Sequence, residues 1–389
     1  MSMSRIRNVS PRSFARTKHF PGTAGNPFDR FLHAFDNLER LPSILFAVIL
    51  LLFSLFVNWF HPIQNIILYP FFIGDWILIS LLPVFKCSFG PIKPVVLTLA
   101  ILRIPFVFLP VGWNLATEIV GTLLVIYGFY IEPFRLDVHH ETFTTTKFAS
   151  GQYLRVVHLG DLHVERTTIR ENKILRVLNE LSPDLILFSG DLLNLSYLND
   201  PQAQADVRAF LCALSAPLGV FGVSGSPAVD LPELFPKLVA DTPLHWLDDQ
   251  IQTIRTASTT LCLFGLSCSH NPDRDGQTLQ NLITQAYPHG LDPSSFNLLL
   301  YHSPDLAPDA SGFGFNLQLS GHTHGGQVRL PVYGALYTGS LYKKAFEAGR
   351  YLVNGMVLYV TRGLGMEGAI APRVRVLCRP ELIIWDLHN

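Results

Sequence analysis

Apolar residues follow two different rhythms along this chain. Between residues 41 and 131 they gather into four long stretches: 41–60, which carries no charge; 63–82, with Asp75 inside; 95–113, with Arg103, Pro105 and Pro110; and 115–131, with Glu118 near its start. A helix needs about 20 predominantly apolar residues to cross a bilayer. The stretches therefore predict four spanning helices, the third kinked by its prolines. From residue 153 onward the apolar runs are short and end in glycine or a polar residue. Residues 153–159 and 183–188 read as strands. Between them Ile174, Leu175, Leu178 and Leu181 recur at helical spacing over 172–181. Strand, helix, strand is a β-α-β unit. Further strands are expected at 297–301 and around Phe315, Leu317 and Leu319. The expected architecture is α/β, organised as a basic tail at 1–40, a transmembrane helical region at 41–133 and a globular domain at 134–389.

Positive charge sets the orientation. The tail holds Arg5, Arg7, Arg12, Arg16, Lys18, Arg30 and Arg40. The loop after the first stretch has no Lys or Arg, the next has Lys86 and Lys93, and Arg135 and Lys147 follow the last. By the positive-inside rule the N-terminus and the globular domain both face the cytoplasm, at an inner or plasma membrane. Residues 1–20 also have the composition of an organelle transit peptide, but the charge alternation that follows favours a topogenic tail. Asp75 and Arg103 are costly in hydrocarbon and are expected to pair or to line a polar pocket. A net charge of −1 leaves no case for a nucleic-acid surface. The five cysteines (Cys87, Cys212, Cys262, Cys268 and Cys378) include no CxxC pair, so neither a disulfide framework nor a zinc–thiolate site is expected.

The candidate chemistry sits at the predicted strand ends. Residues 153–159 lead to Asp161 and His163, 183–188 to Asp191, 297–301 to His302, and the run ending at Leu319 to His322 and His324. At the end of a strand, residues i and i+2 project to the same side. In open α/β sheets, ligand sites form outside the carboxyl ends of the strands. A single Asp after a strand is more often a cap or turn residue, and a single His is more often a satisfied core residue. Repetition at successive strand ends makes the set read as ligands. Carboxylate and imidazole ligands suit Mn, Fe, Zn or Co. Two such ions about 3.5–4 Å apart can clamp the attacking and leaving oxygens of a phosphoryl transfer.

Asp161-x-His163, Gly190-Asp191, His302 and Gly321-His322-Thr323-His324 resemble, in order, the motif series of the calcineurin-like metallophosphoesterase family. Residues 359–365 (Tyr-Val-Thr-Arg-Gly-Leu-Gly) and Pro380-Glu381-Leu382 resemble a membrane-associated branch that includes a UDP-2,3-diacylglucosamine pyrophosphatase. The resemblance implies a β-sandwich flanked by helices, with two divalent metal ions at one strand edge. It assigns Asp161, His163, Asp191 and His324 to the first ion and Asp191, His302 and His322 to the second. Asp191, His302 and His322 are the implied catalytic residues. The implied reaction is hydrolysis of a phosphate ester or pyrophosphate. Because the domain is tethered to a lipid bilayer, a phosphorylated or nucleotide-linked lipid such as UDP-2,3-diacylglucosamine is the expected substrate. Asn194 and Arg362 are candidate substrate contacts, with a turn and a salt bridge as their alternatives. The basic and aromatic segment 341–346 is a candidate for facing anionic headgroups, with an ordinary solvated face as its alternative.

One motif departs from the series. After its third strand the family carries Gly-Asn-His, whereas the matching stretch here ends Gly225-Ser226-Pro227. Ser226 stands where the family has a ligating amide. Pro227 stands where it has a histidine that stabilises the transition state or protonates the leaving group. General acid assistance is typically worth about 10²–10⁴-fold. The loss has two readings: a substrate with a good leaving group, such as a pyrophosphate, or a weak second ion in a poor enzyme or pseudoenzyme. His158 and His270 compensate only if the fold brings them near. An anchored phosphodiesterase for a soluble substrate is a third possibility.

Overall fold

The structure is a computed structural model that describes residues 5–7, 9–12, 37–57, 59, 62–257, 259–369 and 371–389. Arg16, Lys18 and Arg30 of the basic tail, and Phe60 at the end of the first expected span, lie outside the described residues.

In chain order the strands are β1 (Arg5–Arg7), β2 (Asp137–Thr144), β3 (Tyr153–Leu159), β4 (Leu185–Phe188), β5 (Val220–Gly222), β6 (Leu244–Trp246), β7 (Gln250–Arg255) and β8 (Thr260–Leu266). They continue with β9 (Phe296–Tyr301), β10 (Leu317–Ser320), β11 (Arg329–Leu330), β12 (Gly334–Ala335), β13 (Gly349–Val353), β14 (Met356–Val360) and β15 (Glu381–His388). One sheet has the order β2-β15-β3-β4-β5-β6 and the other β1-β13-β14-β10-β9-β8-β7, while β11 and β12 form a separate hairpin. Strands β3 to β6 run parallel, as do β8, β9, β10 and β14. Each sheet therefore gathers several carboxyl ends on one edge.

Alternation sorts the side chains into layers. Val157, Leu159, Ile186 and Phe188 pack with Ile174 and Leu178 of helix Ile169–Leu181 and with Val207 and Phe210 of helix Pro201–Cys212. Their neighbours Leu154, Val156, Leu185 and Leu187 turn the other way, onto Leu298, Leu300, Leu317 and Leu319 of the second sheet. Trp385 and Tyr359 meet edge-on between the sheets, 5.5 Å between ring centres. Leu299 and Tyr301 face outward onto Leu279 and Ile283 of helix Pro272–Ala286. The architecture is the expected mixed α/β one, two facing sheets with helices outside. The helix predicted over 172–181 begins at Ile169, because Thr168 and Glu171 form a capping box at its start.

The expected spans become helical segments of unequal reach: Ser43–Val57, Pro62–Leu81, Lys93–Arg103 and Val111–Ile126. Among the described residues, one helix is long and apolar enough to cross a membrane, Val111–Phe134, whereas Ser43–Val57 and Ile66–Leu81 are apolar but shorter. The third stretch is broken. Its helix passes at Pro105 into the 3₁₀ turn Ile104–Phe108, and Pro110 caps the next helix, as the fixed φ and missing N–H of proline require. Asp75 and Arg103 do pair: Arg103 donates to both Asp75 carboxylate oxygens at 2.7 Å, and also to Glu118 Oε2 at 2.5 Å.

The helical region touches the globular part beside the strand edge that carries the candidate ligands. Glu165, two residues beyond His163, accepts from Ser88 Oγ at 3.1 Å, Phe89 N at 2.8 Å and Arg373 Nε at 2.8 Å. Arg375 N donates to Gly128 O at 3.0 Å, and Cys378 N to Glu132 Oε1 at 3.0 Å.

Candidate active site

Five parallel strand ends converge. Asp161 and His163 follow β3, Asp191 follows β4, Ser226 follows β5, His302 follows β9, and His322 and His324 follow β10. Asp161, His163, Asp191, His302 and His324 are buried and His322 is half-buried. Asp161, His163, Asp191 and His324 bring one candidate ligand atom each to within 4.8 Å of one another, and so do His270, His302 and His322. Asp191 lies between the groups, with Oδ2 3.4 Å from His163 Nε2 and 3.3 Å from His302 Nε2.

The connecting loops adopt strained backbone to present these side chains. Asp161, His163, Asp191, His270, His322 and His324 all have positive φ, between 43° and 73°. For a residue with a side chain that conformation costs of order 1–3 kcal/mol, and such residues cluster at functional sites. Two glycines make the close approach possible. Gly190 has φ 100°, and a Cβ there would run into the backbone of Gly225. Gly363 has φ 69°, and a Cβ there would lie 2.7 Å from Asp161 Cβ.

The ring orientations leave nitrogens facing inward. His302 Nδ1–H donates to Ser189 O at 2.8 Å, with Nε2 turned toward Asp191 Oδ2 at 3.3 Å. His322 Nε2–H donates to Gly339 O at 3.2 Å. This outer bond, which fixes the tautomer, is the usual companion of a ligating imidazole. His163 Nε2 and His324 Nε2 stand 3.0 Å apart. Asp161 Oδ1 accepts from His322 N at 2.9 Å, while its Oδ2 is buried without a hydrogen-bond partner. Burial pushes the Asp161 carboxyl up to about 6, though His302 and His163 pull against it. Burial also works to lower His302 and raise Asp191. Their mutual attraction outweighs it, lifting His302 to about 9 and holding Asp191 well below the usual carboxylate range. Two buried carboxylates thus draw in positive charge, and the orphaned Asp161 oxygen wants a cation. The donor set of carboxylate oxygens and imidazole nitrogens fits a divalent metal.

Neither candidate substrate contact belongs to this cluster. Asn194 Nδ2 donates to Met366 O at 3.1 Å, and its Oδ1 accepts from Ser196 N at 3.0 Å and Arg373 Nη2 at 3.1 Å. Arg362 donates to Glu381 Oε2 and to Asp137 Oδ2, both at 2.7 Å. In segment 341–346, Tyr342 and Phe346 are core residues and the two lysines are exposed. His158 is fully buried against Ser189 Oγ, 3.0 Å away, whereas His270 reaches the site.

Two positioning residues gave no sequence signal. Asp230 accepts from Asp191 N at 2.7 Å, Leu192 N at 3.1 Å and Gly225 N at 2.7 Å, binding two ligand-bearing loops together. Arg375, fully buried, donates to the carbonyls of Arg362, Gly363, Gly365 and Cys378, which fixes the loop that packs on Asp161.

A family model described as calcineurin-like phosphoesterase matches residues 154–326. The chain is 30% identical over 284 residues to the uncharacterized metallophosphoesterase YkuE of Bacillus subtilis, covering 68% of this chain and 89% of that protein. It is 24% identical over 342 residues to the UDP-2,3-diacylglucosamine pyrophosphatase LpxG of Chlamydia trachomatis, covering 72% of this chain and 98% of LpxG. It is 26% identical over 271 residues to the phosphodiesterase YaeI of Escherichia coli, covering 67% and 92% respectively. The chain belongs to the calcineurin-like metallophosphoesterase family. It is a metal-dependent phosphoester hydrolase.

Proposed function

We propose that this protein hydrolyses a phosphate ester or pyrophosphate bond in a lipid-linked substrate at a membrane surface, with UDP-2,3-diacylglucosamine as the leading candidate. The observation that carries the reading is Asp191, 3.3 Å from His302 and 3.4 Å from His163, shared between two ligand groups. Asp161, His163, Asp191 and His324 would hold one divalent ion, and Asp191, His302 and His322 a second. Such a pair, when bound, supplies a nucleophile near neutral pH and neutralises charge on the phosphoryl oxygens. Ser189 and Gly339 fix the rings of His302 and His322, so the donors are in place before substrate arrives. Pro227 offers no proton at the position where the family has histidine. A phosphate leaving group from a pyrophosphate needs that proton less than an alkoxide does, which favours an anhydride substrate.

Support for a membrane location comes from two observations. Helix Val111–Phe134 is long and apolar enough to cross a bilayer. Four crossings with a cytoplasmic N-terminus and a cytoplasmic domain at 134–389 agree with the pairing of β1 with β13, which any even number of crossings allows. The β11–β12 hairpin, close to His322 in the chain, exposes Leu330, Val332, Tyr333, Leu336 and Tyr337, an apolar surface fitted to an amphiphile. LpxG, named as a UDP-2,3-diacylglucosamine pyrophosphatase, supplies the head group.

The test is surface dilution. Full-length protein in mixed micelles should turn over UDP-2,3-diacylglucosamine at a rate that follows its mole fraction in the micelle at fixed bulk concentration. The likeness to YaeI, named as a phosphodiesterase, favours a second reading, an anchored enzyme for a soluble diester. That enzyme would ignore micelle composition and cleave bis-p-nitrophenyl phosphate better than the lipid.

A further inference from the structure

Ser226 leaves the second ligand group one donor short of the family pattern, and the structure places another imidazole at that spot. Ser226 Oγ is 3.1 Å from His302 Nε2, 3.3 Å from Asp191 Oδ2 and 3.1 Å from His270 Nε2. His270 does not come from the β5 loop that carries Ser226. It comes from beyond β8, two residues past Cys268, in a turn with φ 55°. Its ring centre lies 4.4 Å from that of His322 and 6.0 Å from that of His302. The ring is buried, with Nδ1 facing Cys268 Sγ at 3.7 Å and Nε2 turned to the cluster. The turn itself is pinned. Ser269 N donates to Asp275 Oδ2 at 2.9 Å, Tyr301 Oη donates to the same oxygen at 2.6 Å, and Asn271 caps helix Pro272–Ala286.

Resting on the reading that the site holds two ions, we infer that His270 Nε2 is a ligand of the second ion, in the position the family fills with asparagine. The donor is replaced from a different strand end rather than lost. The size of residue 226 follows from this arrangement. With Ser226 Oγ already 3.1 Å from His270 Nε2, an asparagine amide at 226 and the His270 imidazole compete for one volume. Serine leaves room for the ring and keeps a hydroxyl to hydrogen-bond beside it. The centre thus has carboxylate and imidazole donors only.

The experiment is equilibrium dialysis of the full-length detergent-solubilised protein against graded Mn²⁺, with bound metal counted by mass spectrometry. Wild type should bind two ions per chain. His270→Ala should keep the first affinity and weaken the second by more than about a hundredfold, beyond the tenfold to hundredfold that loss of an outer-shell partner costs; a loss within that smaller range would make His270 an outer-shell residue and overturn its assignment as a ligand. His270→Gln, which keeps an amide donor, should recover part of that. Ser226→Asn alone should weaken the second ion, and Ser226→Asn combined with His270→Ala should bind it more tightly than either single variant, a coupling that a double-mutant cycle isolates. Retention of the first affinity in each variant shows that the fold is intact. Two ions bound by wild type and equally well by His270→Ala would overturn the assignment of His270 alone. Fewer than two ions bound by wild type would overturn the two-ion reading and this inference together.

Discussion

The two ligand groups of this site are built to different rules. Asp161, His163, Asp191 and His324 come from three loops whose sequence keeps the family spacing, and all four are buried with positive φ. The group around His302 and His322 keeps two family histidines, has a hydroxyl where an amide is expected, and draws in His270 from a strand end that carries no family motif. A ligand position is a place in space, and any adjacent strand end can fill it. A motif series follows positions along the chain, so it names every member of the first candidate group and only His302 and His322 of the second.

Asp191 belongs to both groups, so its loss should do most. Asp191→Ala should lower kcat by at least about 10³-fold, equivalent to several kcal/mol of lost charge stabilisation, measured as phosphate release with Mn²⁺. His324→Ala touches only the first group. It should remove one ion and leave the other, whereas Asp191→Ala weakens both; metal counts that fall together in both variants would erase the distinction between the groups. Arg375→Met acts on the scaffold beneath them. It leaves carbonyls of the 362–365 loop without their donor and should cost about 3 kcal/mol, read as a lower Tm in detergent that added Mn²⁺ partly restores. The smallest effect is expected from Arg362→Gln: its pair with Asp137 is partly exposed, and glutamine keeps a donor for the buried Glu381, so the loss should be about 2 kcal/mol. Tm should fall slightly with KM unchanged. A tenfold rise in KM at unchanged Tm would make Arg362 a substrate contact.

What the sequence discloses follows from how local each signal is. Short continuous apolar runs mark β3, β4, β9 and β10, since each strand buries both faces between layers. Ligands at i and i+2 after those strands are legible for the same reason. Strand β1 is three residues long, two of them arginine, and exists only through its pairing with β13. Arg375 and Asp230 carry no motif or spacing signal, because their burial depends on which loops meet. Helix length in the apolar region is misjudged where proline intervenes. Hydropathy counts Pro105 and Pro110 as part of one stretch, whereas the backbone breaks there. The sequence names His270 only as a conditional substitute beside His158, because its partners, Ser226, His302 and His322, lie on other strand ends.

The most direct test is nucleotide or phosphate release from UDP-2,3-diacylglucosamine by the purified full-length protein in detergent with Mn²⁺, beside an Asp191→Ala preparation. Release that EDTA stops, that Mn²⁺ restores and that the variant lacks is the predicted result. Release that persists in the Asp191→Ala protein would contradict a metal centre shared through that carboxylate. No release above the variant from this lipid or from any phosphate ester or anhydride in a panel would contradict hydrolysis itself.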